Sequence, residues 1–215
     1  MVRRKVAMKA RIELVKQFDV ENLKKMFELV NIVFPPKYYI PFEQYEAINK
    51  KNPRVRAHCW LGDELAGFIN FYPLTTDAYE QFLASHEVYD MKITADEIME
   101  YGDKNHVYDI FIPSIVMNPI HQGKMLGLIL MRGLMLGLKE LKAEGYKLGR
   151  LGATAYTDAG MHQLKTYMAL KEVRLLNPAT KIPGFDQMFT DVAVSGDCEK
   201  AIHLIEEYMG IEGLL

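Results

Sequence analysis

The stretch Ile115-Val116-Met117-Asn118-Pro119-Ile120-His121-Gln122-Gly123-Lys124-Met125-Leu126-Gly127 decides how this chain is read. Its β-branched start predicts a strand ending in a short polar loop, and the nearly continuous apolar run from Met125 to Leu138 belongs to a buried helix predicted from about Gln122 to Glu144. The first turn of such a helix leaves backbone N–H groups without intrahelical partners and carries a partial positive charge, so it suits a phosphate or pyrophosphate. Gly123 and Gly127 allow a ligand to approach those amides, and Lys124 adds a mobile positive charge beside them.

On either side of this stretch the sequence alternates between strand and helix signals. Lys9 to Lys16 alternates apolar and polar residues as an opening strand. Asp19 then caps a helix whose apolar stripe is Val20, Leu23, Phe27, Val30 and Ile32, and Phe34-Pro35-Pro36 ends it. A second short helix is predicted from Phe42 to Asn49, with a turn at Asn52-Pro53. Val55 to Leu61 and Leu65 to Tyr72 flank Gly62-Asp63-Glu64 as a hairpin closed by Pro73.

Residues 75–105 are predicted to be a helical insertion, acidic through Asp77, Glu80, Glu87, Asp90, Asp96, Glu97, Glu100 and Asp103. Val107 to Val116 is the long strand before the loop. Pro113 within it donates nothing to a ladder, so the strand there should be bulged or unpaired along one edge. After the buried helix, capped at Gly145, come a strand over Leu148 to Tyr156 and a helix over Ala159 to Leu170. Strands over Val173 to Leu176 and Phe185 to Val194 follow, and a terminal amphipathic helix spans Cys198 to Tyr208. The pattern is one mixed α/β domain over residues 1–215.

Composition excludes several classes. With 26 basic and 28 acidic residues in 215, no global field favours nucleic acid or an anionic membrane. Met125 to Leu138 is shorter than the ~18 residues a membrane span requires. Gly133 and Gly137 within it fit close packing of helix on sheet. Cys59 and Cys198 are too few for a disulfide framework or a cysteine zinc site, and no signal-peptide core follows the N-terminus, so a cytoplasmic protein is expected. The six histidines lack metal-ligand spacing, so no metal is expected. A homodimer is compatible with the chain.

The central loop resembles the pyrophosphate loop of the GNAT superfamily of acyl-CoA-dependent N-acetyltransferases, whose pattern is Gln/Arg-x-x-Gly-x-Gly/Ala after a strand. Gln122 matches the first position and Gly127 the last, while Met125 stands at the usual first glycine. The resemblance runs in order over most of the chain and implies a splayed mixed sheet with acetyl-CoA entering the gap. It also implies transfer of acetyl to a primary amine, on a small molecule or peptide, by direct attack in a ternary complex.

The donor residues so implied are Val116, Gln122, Gly123, Lys124, Leu126 and Gly127. The family's general acid is a tyrosine on the helix after the next strand. Aligned on Lys171-Glu172-Val173, that position falls on Lys165; Tyr167 lies two places later, and Tyr156 is the substitute. Asp109 is the candidate base, acting through water. The acidic insertion offers attraction to a cationic substrate, and Tyr79, Phe82, Tyr89 and Tyr101 in it either line an acceptor pocket or anchor it to the sheet. A non-catalytic acyl-CoA-binding module of the same fold is the alternative. A Gly-x-Gly-x-x-Gly or Walker loop, which an unrelated nucleotide-binding fold would need, is absent.

Overall fold

In the computed structural model, which describes residues 10–121, 126–181 and 188–211, alternating apolar patterns build a seven-stranded sheet of order β1-β2-β3-β4-β5-β7-β6. The strands are β1 (Ala10–Leu14), β2 (Arg56–Leu61), β3 (Glu64–Leu74), β4 (Val107–Met117), β5 (Lys147–Ala155), β6 (Lys171–Lys181) and β7 (Met188–Asp197). All neighbouring pairs are antiparallel except β4 and β5. That parallel pair needs a crossover, supplied by helix α4 (Leu126–Ala143).

One face of the sheet is covered by α1 (Val20–Val33), α2 (Phe42–Lys51) and α3 (Thr76–Ala84). The other carries α4, α5 (Asp158–Met168) and α6 (Cys198–Ile211). α4 lies close against the sheet because Gly133 and Gly137 face Ala57 and Phe71, where a Cβ would come within 2.8 Å of either side chain. Its end is fixed by Gly145 at φ 94°, with Gly145 N–H bonded to Lys142 O and Tyr146 N–H to Leu141 O. Among the described residues no helix is long and apolar enough to cross a membrane.

Several expectations shift. The buried face of α1 is Leu23, Met26 and Leu29, while Ile32 is 59% exposed. The stripe is rotated because Phe27 and Val30 are only half-buried and line a pocket, Val30 also packing against the core. Pro73 does not close β3, which runs on to Leu74. The proline's carbonyl accepts from Met99 N–H, so the insertion supplies the partner on that side. β6 is also longer than expected. The insertion holds one α-helix, α3, and a 3₁₀ turn at Ala95–Glu97 closed by a Thr94–Glu97 capping box; the rest is irregular chain. It is anchored by Tyr79, Phe82 and Tyr89 packed with Phe111, and by Tyr101 against Tyr108 and Tyr146.

Candidate active site

The sheet opens at Pro113. Pairing of β4 with β5 runs from Val107 opposite Lys147 to Ile112 opposite Ala153 and stops there, while β5 continues against β7 to Ala155. Residues 114–117 of β4 therefore pair with β3 but not with β5, and the β3–β4 register shifts across Pro113. The edge expected at Pro113 is present, and the two strands diverge beyond it.

A cleft of about 690 Å³ fills this divergence. Its walls are Ile112 to Ile115 and Met117 of β4, the end of β5 from Ala153 with Tyr156 just beyond it, Leu126 and Gly127 of α4, and α5 with Gln163 and Tyr167. Asn118 N–H donates to Ala66 O at 2.9 Å, which sets the alternation along β3 and β4. By that alternation Val116, wholly buried, directs its N–H and C=O toward β3, and Ile115 and Met117 turn theirs to the open edge. The strand-edge donors expected of Val116 thus fall on its two neighbours. Leu126 and Gly127 open the described part of α4 and lie on the cleft wall. A Cβ on Gly127 would meet only Gln163, at 2.6 Å from its Nε2. Gln122, Gly123 and Lys124 lie outside the described residues. Free strand edge, helix start and cleft size together fit an extended chain ending in a pyrophosphate.

The acid and base candidates separate. Tyr167 is half-buried on the cleft wall, with its ring edge-on to Tyr208 at 4.8 Å. Asp109 is outside the cleft, near the start of β4. It accepts from Arg150 through the backbone N–H (2.8 Å) and Nη2 (2.6 Å), and Arg150 also bonds Glu80. Those carboxylates hold the arginine's pKa well above its ordinary range. Tyr156 occupies the junction. It lines the cleft and also a second, smaller pocket of about 60 Å³ walled by Phe27, Val30, Phe34, Tyr38, Tyr72 and Asp90, among others.

Asp90, on the irregular part of the insertion, was not singled out by the sequence. It is 9% exposed and accepts hydrogen bonds from the Tyr156 hydroxyl and from Thr154 Oγ1 (3.0 Å). Burial pushes its carboxyl up to about 7, against the lowering effect of backbone and Thr154 hydrogen bonds. Tyr38, edge-on to Tyr156 at 4.8 Å, donates to the buried Asp191, which also accepts from Asn177. The signal available in the sequence was an aspartate set in an apolar run, Val88-Tyr89-Asp90-Met91, inside an otherwise polar acidic segment. Among the described residues no group of histidine, cysteine or carboxylate side chains could hold a metal ion.

No protein-family model matches the chain, and no curated protein matches it in sequence. Solved structures do match in fold. The loading GNATL domain of CurA from Lyngbya majuscula aligns over 89% of this chain and 98% of its own, with TM-score 0.61 and 15% identity. Arabidopsis thaliana NAA60 in complex with acetyl-CoA aligns over 88% and 99%, with TM-score 0.55 and 12% identity. Ard1 from Thermoplasma volcanium aligns over 89% and 98%, with TM-score 0.54 and 11% identity. The chain has the GNAT fold, a splayed mixed sheet between two helical layers.

Proposed function

We propose that this protein is an acetyl-CoA-dependent N-acetyltransferase that moves acetyl to a primary amine by direct attack in a ternary complex. The observation that carries this reading is the position of Tyr156, which borders the large cleft on one side and the small pocket on the other while bonded to the buried Asp90. A donor in the first and an amine in the second would meet at that hydroxyl. Ile115, Met117, Leu126 and Gly127 would hold the donor, with Gln122, Gly123 and Lys124 completing the pyrophosphate loop.

The ammonium first loses a proton to solvent. The free amine nitrogen then bonds to the thioester carbonyl carbon and the carbon–sulfur bond breaks. Asp90 takes the second nitrogen proton, Tyr156 gives its own to the departing thiolate, and Asp90 reprotonates Tyr156. The products are the N-acetyl amide and the free thiol of CoA. A carboxyl poised near 7 suits such a relay at neutral pH. Asp109, tied to Arg150, then serves to position the insertion through Glu80. A cytoplasmic setting is consistent with two buried cysteines that form no disulfide.

Calorimetric titration with acetyl-CoA beside ATP and NAD, followed by release of CoA thiol with a panel of amines, tests the reading. Selective binding with turnover supports it. Binding without turnover on any amine leaves the non-catalytic module instead, and no binding to a folded sample overturns both.

A further inference from the structure

The wall of the small pocket carries one carboxylate and, among the described residues, no cation. Asp90 is 9% exposed, and its side-chain partners are the hydroxyls of Tyr156 and Thr154. No lysine, arginine or histidine of the described residues lines the pocket. Lys37 lies over the Tyr38 ring at 4.5 Å, but it is exposed and forms no part of the wall. The other buried acid nearby, Asp191, does not line the pocket and already accepts from Tyr38 (2.7 Å) and Asn177 (2.7 Å).

The remaining polar groups of the wall are engaged within the protein. Asn70 Nδ2 donates to the Tyr45 hydroxyl and to Ser114 Oγ (2.9 Å), and the Tyr72 hydroxyl is paired with that of Tyr45. Phe34, Tyr38 and Tyr156 stand edge-on to one another, and Phe27, Val30, Ile40 and Ile48 complete an apolar lining. At ~10–15 Å³ for each water, a volume of about 60 Å³ holds about four to six non-hydrogen atoms. An amine supplies Asp90 with the partner the wall lacks, and the surrounding rings favour a cation beside them. A carboxylate or a second ammonium would be buried there unpaired. A peptide N-terminus would bring an amide N–H and C=O beside its nitrogen, against polar groups that are already bonded.

We propose that the acceptor is a compact alkyl monoamine, its nitrogen directed at Asp90 and Tyr156 and its hydrocarbon tail packed among Phe27, Val30, Ile40 and Ile48. The proposal rests on the acetyl-transfer reading for its chemistry, while the pocket's choice of ligand can be read by binding alone. Discrimination against an added charge or amide should be at least about tenfold, the scale of one polar group buried unpaired.

The experiment measures CoA release with isoamylamine and pentylamine against three comparators. L-leucine adds a carboxylate to isoamylamine, putrescine replaces the terminal methyl of pentylamine with an ammonium, and a peptide with N-terminal alanine adds the amide. Calorimetry follows binding of the same compounds in the presence of CoA. The expected result is a kcat/KM at least about tenfold higher for the two monoamines than for any comparator. Val30→Phe and, separately, Ile40→Phe narrow the pocket and should raise KM for both monoamines at least about fivefold, with acetyl-CoA affinity unchanged. If one variant does not fold, the other is read. An unchanged KM in a folded variant, or a comparator turned over as well as the monoamines, overturns the inference and leaves the transfer reading standing. Selective monoamine binding without turnover of any compound sustains the pocket and overturns the transfer reading. Comparators bound as well as the monoamines, or monoamines neither bound nor turned over, overturn the inference.

Discussion

Asp90 couples stability to chemistry. Its folded pKa of about 7 lies above the ordinary value of 3.8, so between these limits the folded state binds a proton that the unfolded state has lost. Stability from this group is therefore full below pH ~4 and declines as pH rises through 7, by an amount on the order of 4 kcal/mol at ~1.4 kcal/mol per pH unit. Asp90→Asn keeps an acceptor for Tyr156 and Thr154 but has no proton to lose. Thermal denaturation from pH 5 to 8 should show the wild type losing Tm more steeply than the variant; parallel curves would show that Asp90 ionises freely in the folded state. In turnover, the wild-type rate should rise through about pH 7 as the base ionises. Asp90→Asn should lack that limb and fall ~10²–10⁴-fold, the range of general acid–base catalysis. Tyr156→Phe should slow turnover at least about tenfold with donor affinity little changed. Tyr167→Phe, which keeps the ring against Tyr208, should cost less. The reverse order of the two variants would return the acid role to Tyr167.

At the scale of elements, α4 uses its glycines for two purposes. Gly133 lets the helix touch β2, since a Cβ there would sit 2.8 Å from the Ala57 Cβ, an atom with no freedom to move aside. Gly133→Leu should cost about 1–3 kcal/mol, the usual penalty for overpacking, or roughly 2–12 °C in Tm at this chain length. Gly127 meets only the flexible end of Gln163 and borders the cleft. Gly127→Trp should leave the fold standing and abolish acetyl-CoA binding by filling the donor's path. Unchanged affinity in a folded Gly127→Trp protein would remove the start of α4 from the donor site. The spacing of the two inner glycines and the proline in β4 were legible because each changes local backbone rules that the sequence states directly. The facing of Phe27 and Val30 was not, because a helical stripe turned toward a pocket has the same period as one turned toward a core.

For the whole molecule, the order of strands and helices was readable from periodicity, because each element obeys a local pattern. The site was readable only where a single segment carries it, at the strand-to-helix stretch 115–127. Asp90, Tyr72 and Tyr156 come from the insertion, β3 and the end of β5, and meet only through the sheet's register and the fold of an irregular segment. No local pattern records such a meeting. The same architecture sets a global expectation. β4 and β5 are held together by pairing only as far as Ile112 and Ala153, so the two halves of the sheet diverge across the cleft. A donor bonded to the free edge of β4 and to the start of α4 would bridge that gap in the native state alone. At a hundredfold excess over Kd it should add about 2.7 kcal/mol, or ~5–11 °C in Tm for a chain of this size. Melting with acetyl-CoA should show that rise and follow its concentration logarithmically, whereas ATP and NAD should leave Tm in place. An equal rise with all three nucleotides would point to a nonspecific phosphate effect and against a cleft shaped for the pantetheine arm.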